Sequence, residues 1–301
     1  MGFLLKTFKI FTEPQRGHLA MFAFSALVAG SFSLGHLASP FIAPEAMTVG
    51  RFILSAVLVG AAAALTKGIQ RRALAAPWRY CVLGALMGIY FVLMFEGLKT
   101  AQAVSMSAVY TLTPVMSAGF GWILMRQRVT GRMALALGLG AAGALWVIFR
   151  ADIAALLAWN LGYGEKLFFF GCVAHALYTP LVRRLNRGEA AMVFASGTMA
   201  GGALTVAAWG WKDLLTTSWT SLPVIVWICL IYVAVAATGV TFVLLQFASL
   251  RLPAAKVMAY TYLVPSWVIL WEIGLGKGGP STAVLGGVVV TVLALWLLLK
   301  E

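Results

Sequence analysis

Charged side chains are scarce in this chain. Asp, Glu, Lys and Arg make up 10% of its 301 residues, whereas hydrophobic residues make up 62%. A soluble domain ordinarily carries about 25% charged residues to cover its surface. The composition therefore excludes an ordinary soluble fold and predicts an integral membrane protein with the lipid bilayer as its solvent.

Cysteine and histidine are also rare, with three residues of each. Cys81, Cys172 and Cys229 lie in apolar stretches without paired spacing, which is typical of small packing residues. The sequence contains no HExxH or CxxC motif and no discernible Ser, Lys and Asp arrangement for covalent catalysis. We therefore expect no metal ion, no other cofactor and no enzymatic activity.

Long apolar stretches are what the chain has instead. A helix needs about 20 mostly apolar residues to cross a bilayer. A β-barrel would show alternating polarity, but runs such as residues 283–299 are continuously apolar. The ten transmembrane helices predicted on this basis cover residues 19–38, 46–65, 80–98, 101–125, 133–149, 167–182, 190–209, 223–248, 253–275 and 282–299.

Basic residues outnumber acidic ones, 22 to nine, and cluster on one side of the predicted topology. This is the positive-inside pattern, so the net charge of +13 requires no nucleic-acid partner. It predicts a multi-pass protein of the bacterial inner membrane with both termini in the cytoplasm. The 15 residues predicted on the cytoplasmic side are Lys6, Lys9, Arg16, Lys67, Arg71, Arg72, Arg79, Arg126, Arg128, Arg132, Arg183, Arg184, Arg187, Arg251 and Lys300; the five on the outer side are Lys99, Arg150, Lys166, Lys212 and Lys277.

The second half of the chain repeats the first at a nearly constant offset. Five helices per copy is an odd number, so the two copies must be inverted in the membrane. The predicted fold is an all-α integral membrane protein of ten transmembrane helices in two inverted five-helix repeats. The repeats cover residues 1–150 and 160–301 and together form one transmembrane domain. Matched pairs include Gly88 and Gly239, Phe91 and Phe242, Ala103 and Ala254, Pro114 and Pro265, and, after a one-residue gap, Trp146 and Trp296.

These features together resemble the drug/metabolite transporter superfamily, specifically its EamA-type exporters built from two five-helix repeats. Within that family the sequence is most similar to the YddG-type aromatic amino-acid exporters, although Gln127 and Lys277 stand where the family commonly has Glu. The resemblance implies export of aromatic and other neutral amino acids. The residues that carry the resemblance are Arg51 and Phe52, Gly138, Gly140 and Gly143, Pro114 and Pro265, and the run Gly171–Leu185.

The two helix-interior prolines mark the predicted substrate site. Each proline frees the carbonyl group four residues earlier, which in hydrocarbon must face protein or a watery cavity. Interrupted helices at matching positions of inverted halves favour a cavity at the membrane midplane, and a packing kink is the alternative. The kinks are Pro114 and Pro265, and the candidate substrate-binding residues are Ser33, Tyr90, Tyr110, Thr111, His175, Tyr178, Tyr260 and Trp267.

Some of these candidates have a structural alternative. His175 and Tyr178 share one helix face, and an intramembrane histidine indicates function unless it bonds a neighbouring helix in its neutral form. Tyr260 and Trp267 share a face with Trp271, which is equally typical of packing or of an interfacial belt.

The remaining polar and glycine positions are predicted to be structural. Arg51 and Glu272 are expected near outer helix ends, with Arg51 snorkelling toward water, so no cation is expected at the midplane. Gly84, Gly88 and Gly239 are expected bending points.

Several functions stay open beside amino-acid export. Other small metabolites or drugs would suit the same candidate substrate-binding residues, because ligand pockets are largely apolar with a few polar groups. A channel would need a ring of like polar groups, and an intramembrane enzyme would need a nucleophile and a base, such as a serine with His175. The predicted partners are a small-molecule substrate and the lipid bilayer, and a monomer is expected.

Overall fold

The computed structural model describes residues 12–66, 71–154 and 161–299, and over these residues it contains helices and no strand. Lys6, Lys9, Lys67 and Lys300 lie outside the described residues, as do the side chains of Arg71 and Arg72. The helices are α1 (Glu13–Ala38), α2 (Pro44–Thr66), α3 (Trp78–Leu98), α4 (Ala103–Tyr110), α5 (Thr113–Met125), α6 (Gly131–Ile148), α7 (Tyr163–Leu185), α8 (Ala191–Trp209), α9 (Trp211–Thr216), α10 (Val224–Ala234), α11 (Thr241–Ser249), α12 (Ala254–Ala259), α13 (Val264–Gly274) and α14 (Thr282–Leu299).

Eight helical segments in the described part of the chain are long and apolar enough to cross a membrane. They are α1, α2, α3, α4 with α5, α6, α8, α10 with α11, and α14. The other two predicted spans are helical but differ in kind: α7 carries charged residues near both ends, and the segment from α12 to α13 is divided into short pieces. The chain is therefore a multi-pass membrane protein.

The first helix begins earlier than the apolar stretch does. It begins at Glu13 rather than at residue 19, because its first turn is polar but has helix-start chemistry. The Thr12 N–H donates to Gln15 Oε1 at 2.8 Å, and Pro14 occupies the first turn, where a missing N–H costs little. Hydropathy alone does not detect such a start.

Helices of the two halves of the chain pack against each other. The most extensive contacts join α3 to α7, α6 to α14, and α8 to both α2 and α3, and α1 packs along α10 and α11. Glycine permits the closest of these approaches. A Cβ atom at Gly84 would overlap the backbone N of Gly202 and lie 2.6 Å from the carbonyl oxygen of Thr198.

Gly84 and Gly88 do not interrupt their helix in this structure. Helix α3 runs unbroken through both residues, which instead lie against α8. Gly239 does lie where its helix changes geometry, because it belongs to a π-helical turn at Val235–Val240 between α10 and α11. Gly84 and Gly88 thus allow α3 to pack closely against α8. The irregular backbone is instead found in the π turn that contains Gly239.

The helix interruptions lie just before Pro114 and Pro265. Helices α5 and α13 each start one residue before the proline, so the proline falls in a first turn that needs no backbone donor. The carbonyl oxygen of Tyr110 accepts a hydrogen bond from Thr113 Oγ1 at 2.7 Å, and that of Thr261 accepts one from the backbone N–H of Val264. Because both freed carbonyl groups bond locally, these interruptions do not by themselves require a cavity.

A third proline, Pro180, lies inside α7 and is not among the predicted kinks. The carbonyl group that it frees belongs to Ala176, whose oxygen accepts a hydrogen bond from Ser117 Oγ of α5 at 3.0 Å. The carbonyl group that Pro180 leaves free therefore joins α7 to α5 through the Ser117 side chain.

Candidate functional site

Aromatic side chains fill the space where α1, α2, α3, α4, α7 and α11 meet. Each is at most 2% exposed, and neighbouring ring centroids lie 4.6–6.5 Å apart, the separation at which aromatic rings attract. We call this group the central cluster. Its members are Phe32, Phe52, Tyr90, Phe91, Tyr110, Phe168, His175, Tyr178 and Phe242.

His175 is the polar centre of this cluster. Its Nε2 lies 3.4 Å from Tyr110 Oη, and its ring centroid is 4.6 Å from that of Tyr90 and 6.3 Å from that of Tyr178. Among the described residues its Nδ1 has no hydrogen-bond partner, whereas the hydroxyl group of Tyr90 interacts with that of Tyr110. A buried polar atom without a partner costs about 1–3 kcal/mol. The Nδ1 atom of His175 is therefore available to a polar group of a bound solute.

Tyr178 connects the cluster to a buried amide. Its Oη accepts a hydrogen bond from Gln246 Nε2 of α11 at 2.8 Å, and Gln246 Oε1 has no partner among the residues that the structure describes. Gln246 is missing from the sequence-based candidates. Its signal is the presence of a single amide in the otherwise apolar run of residues 242–248.

Two rings of the cluster come from matching positions of the sequence repeat. Phe91 of α3 and Phe242 of α11 stack with centroids 6.3 Å apart and an interplanar angle of 24°. Phe52 of α2 contacts both rings edge-on, at 5.7 and 6.1 Å. The centre of the cluster is therefore also a contact between the two halves of the chain.

The prediction that Arg51 snorkels toward water is wrong. Its side chain is 0% exposed, and its Cζ lies 3.6 Å from the centroid of the Phe91 ring. Its Nε donates to Thr238 Oγ1 at 2.8 Å, and its NH2 donates to the carbonyl oxygen of Ala237 at 3.2 Å. Because these acceptors belong to the π turn, the guanidinium is drawn inward. A cation is thus buried beside the central cluster, which the sequence-based prediction excluded.

Four of the predicted site residues belong to the central cluster: Tyr90, Tyr110, His175 and Tyr178. The predicted residues Ser33 and Thr111 are not members of it. Both are fully buried. The Thr111 hydroxyl donates to the carbonyl oxygen of Ala108 at 2.6 Å, so its proton is used within its own helix. Ser33 directly follows Phe32 on α1, and in the described part of the chain its Oγ has no hydrogen-bond partner.

Tyr260 and Trp267 pack along α1, outside the central cluster. Tyr260 Oη lies 3.2 Å from His18 Nδ1, and Trp267 Nε1 donates to Ser25 Oγ at 3.2 Å. Trp271, the third member of the predicted stripe, contacts Tyr232 of α10 instead. These contacts favour the packing interpretation of the stripe.

One end of the bundle, which we call the basic end, is closed by polar contacts. There the start of α1 meets the loop before α12 through Arg251 Nε and Glu13 Oε2, 2.6 Å apart. The start of α12 meets the loop after α5, because the Ala254 N–H donates to Gln127 Oε1 at 3.2 Å. Gln127, where the resembled family commonly has Glu, thus joins two broken helices.

Arg79 makes the most buried contact at the basic end. Its side chain is 1% exposed, and its NH2 lies 2.8 Å from Oε1 of Glu189, which is 4% exposed. Its NH1 donates to the carbonyl oxygen of Leu185 at the end of α7 at 2.6 Å. Burial opposes ionisation of Glu189, but hydrogen bonds from Arg79 and from the Arg187 N–H outweigh it and lower the pKa of that carboxyl group. The pair ties the start of α3 to the loop between α7 and α8.

The opposite end has two concavities lined by polar residues. One, of about 410 Å³, lies between the ends of α1, α4, α6, α13 and α14 and is lined by His36, Ser105, Arg150 and Glu272. The other, of about 510 Å³, lies beside Lys99 and residues 216–223. The first is near the central cluster, because Tyr110 follows Ser105 by five residues, about 7.5 Å along a helix. A pocket at the basic end measures about 210 Å³.

Comparison with known proteins explains this architecture. The sequence profile of the EamA-like transporter family matches residues 15–149 and again residues 162–300. The chain belongs to the EamA-like transporter family. It is also 24% identical over 276 residues to the uncharacterized transporter YyaM of Bacillus subtilis (strain 168), covering 91% of this chain and 90% of that protein. A crystal structure with 21% identity superposes with a TM-score of 0.72 over 93% of this chain and 95% of its own, which shows the fold alone.

Membership of the EamA-like family makes this protein a membrane transporter. The part of the chain that the structure describes has no group of three or more His, Cys, Asp and Glu side chains able to hold a metal ion. Its central cluster is built by helices from both halves of the chain.

Proposed function

We propose that this EamA-like transporter exports amino acids, aromatic and other neutral ones, in the manner of the YddG-type exporters. The observation that carries the proposal is the central cluster, in which His175 Nδ1 has no partner among the described residues and lies among closely packed rings. Aromatic walls suit the side chain of such a solute, and a few oriented polar atoms suit its charged groups.

The proposed mechanism is alternating access by two inverted five-helix halves, residues 1–150 and 160–301. The two family matches and the stacking of the repeat-related Phe91 and Phe242 support this division. Polar contacts close the basic end, and the concavity of about 410 Å³ near Tyr110 lies at the opposite end. Each cycle would separate the contacts of one end while those of the other form.

We propose that the basic end faces the cytoplasm of a bacterial cell, with the protein in the inner membrane. The support is the bias of Lys and Arg toward that end, which follows the positive-inside rule. In this orientation the closed end faces the cytoplasm and the two concavities lined by polar residues face outward. The conformation would be one that releases an exported solute.

Counterflow in liposomes tests the transport proposal. We expect radiolabelled phenylalanine, tryptophan or leucine to accumulate faster when the same unlabelled amino acid is loaded on the opposite side. A channel would show no such acceleration, and an enzyme would alter the solute. Counterflow by drugs or other metabolites, with none by any amino acid, would replace the proposed substrate class by the alternative one.

Replacing His175 by leucine is expected to lower counterflow by about tenfold or more while leaving the melting temperature unchanged or raised. The substitution removes the imidazole that would bond the solute, and with it a buried Nδ1 that has no partner among the described residues. Counterflow and thermal unfolding of the detergent-purified protein measure the two effects.

Thr205→Val is the matched control for His175→Leu. Its hydroxyl bonds only carbonyl oxygens of its own helix α8, those of Gly201 and Gly202, away from the central cluster. Counterflow should persist in this variant. Wild-type counterflow in His175→Leu would show that the histidine only packs.

A further inference from the structure

Arg51 is a buried cation without a carboxylate partner among the described residues. The ionisable side chains that interact with it electrostatically are Tyr90 and Cys229, both of which are neutral at pH 7. Burying an uncompensated charge is costly, and a protein usually balances it with an acid or a metal-bound group. Within residues 12–66, 71–154 and 161–299, no neighbouring side chain supplies the balancing anion.

The hydrogen bonds of Arg51 leave part of its guanidinium group unused. A guanidinium has five N–H donors, and Arg51 uses one on Nε and one on NH2 for Thr238 and Ala237. NH1 is fully buried and has no acceptor within the described part of the chain. The two bonds to the π turn fix the plane of the group, so the donors of NH1 are held in a defined direction.

The surroundings of Arg51 connect it to the central cluster. The ring of Phe91 lies under the guanidinium, at 3.6 Å from Cζ. The ring centroid of Tyr90 is 4.8 Å from that of Phe91 and 4.6 Å from that of His175. The guanidinium group of Arg51 and the imidazole ring of His175, each with an atom that lacks a partner among the described residues, are therefore joined by the contacting rings of Phe91 and Tyr90.

We propose that Arg51 binds the carboxylate group of the transported solute through its NH1 donors. The inference rests on the proposed function and deepens it, because it makes a carboxylate the recognised group. A carboxylate would neutralise the buried charge and accept from NH1, while the aromatic rings contact the apolar part of the solute. Arg51 is 0% exposed, so the solute reaches it when the helix halves separate during the transport cycle.

Matched pairs of ligands test this inference on the wild-type protein. The pairs are phenylalanine and phenylalaninamide, tryptophan and tryptophanamide, leucine and leucinamide, and 3-phenylpropanoate and 3-phenylpropanamide. In each pair that binds, we expect the acid to bind about tenfold or more tightly than the amide, because a charge-assisted hydrogen bond is lost in the amide. Equal affinities, or no binding by any of the acids, would overturn the inference.

Two substitutions separate recognition from folding. Arg51→Gln is expected to remove the preference for the acid, so that acid and amide bind within about twofold of each other. Thr238→Val removes the acceptor of Nε but keeps the cation, so it should lower stability while retaining the preference. If Arg51→Gln does not fold, the wild-type ligand pairs and the Arg51→Lys variant test the inference instead. Lysine keeps the positive charge, so Arg51→Lys should keep part of the preference for the acid.

Failure of this inference is distinguishable from failure of amino-acid export. Counterflow of amino acids without any preference for acids over amides would leave the exporter intact and remove the role of Arg51. Preference for 3-phenylpropanoate that depends on Arg51, without counterflow of any amino acid, would retain the carboxylate site and reject the amino-acid substrate.

Discussion

Replacing Arg79 by methionine is expected to lower the free energy of unfolding by about 3–5 kcal/mol, because it leaves the buried Glu189 carboxylate without its partner. The substitution also removes donors from the carbonyl groups of Leu185 and Ala75, at 2.6 and 3.0 Å. Unfolding in mixed SDS and maltoside micelles, followed by tryptophan fluorescence, measures the loss.

Two further variants make the Arg79 result specific. Arg79→Met combined with Glu189→Leu should recover part of the lost stability, because no buried carboxylate is then left unpaired. Lys99→Met removes an exposed pair with Glu96 and should change stability by about 1 kcal/mol at most. If Arg79→Met cost no more than Lys99→Met, the buried pair would not hold the basic end together.

Replacing Gly84 by leucine is expected to cost about 3 kcal/mol or more and to abolish the monodisperse folded protein. A side chain there would overlap the backbone of Gly202 and approach the carbonyl oxygen of Thr198 at 2.6 Å. Backbone atoms cannot rotate away as a side chain does, so α3 and α8 would have to separate. Size-exclusion chromatography and thermal unfolding report the outcome.

Gly138→Leu is the control for Gly84→Leu. Gly138 is also in the middle of a helix, but a Cβ atom there meets no atom within 4 Å. Leucine is a better helix former than glycine, so stability should stay constant or rise by up to about 1 kcal/mol. Equal behaviour of the two variants would contradict the close crossing of α3 and α8.

The sequence predicted four members of the central cluster, and each prediction depended on a property of the helix that carries the residue. His175 and Tyr178 stand out as polar groups in an apolar helix, and Tyr90 and Tyr110 lie on spans with kinks or repeats. Tyr260 and Trp267 carry the same kind of signal but pack along α1. The difference depends on which neighbouring helix each face meets, and helical spacing contains no information about that neighbour.

The burial of the charged Arg51 side chain could likewise not be predicted from the helix that carries it. Its position near the start of an apolar helix predicts a side chain that reaches water, which is ordinary behaviour for arginine in a membrane. The π turn at Val235–Val240, distant in sequence, supplies acceptors that hold it inside. No pattern within α2 encodes that turn.

The sequence by itself determined that the chain is a helical membrane protein, where its apolar segments lie and which residues repeat. Those properties follow from the energetic requirement that lipid-exposed segments be apolar and internally hydrogen-bonded. The tertiary structure decided which polar groups are buried together, which glycines bring backbones into contact and which end of the bundle is closed. These depend on packing between helices distant in sequence, since burial and hydrogen-bond partners exist only after the helices have assembled.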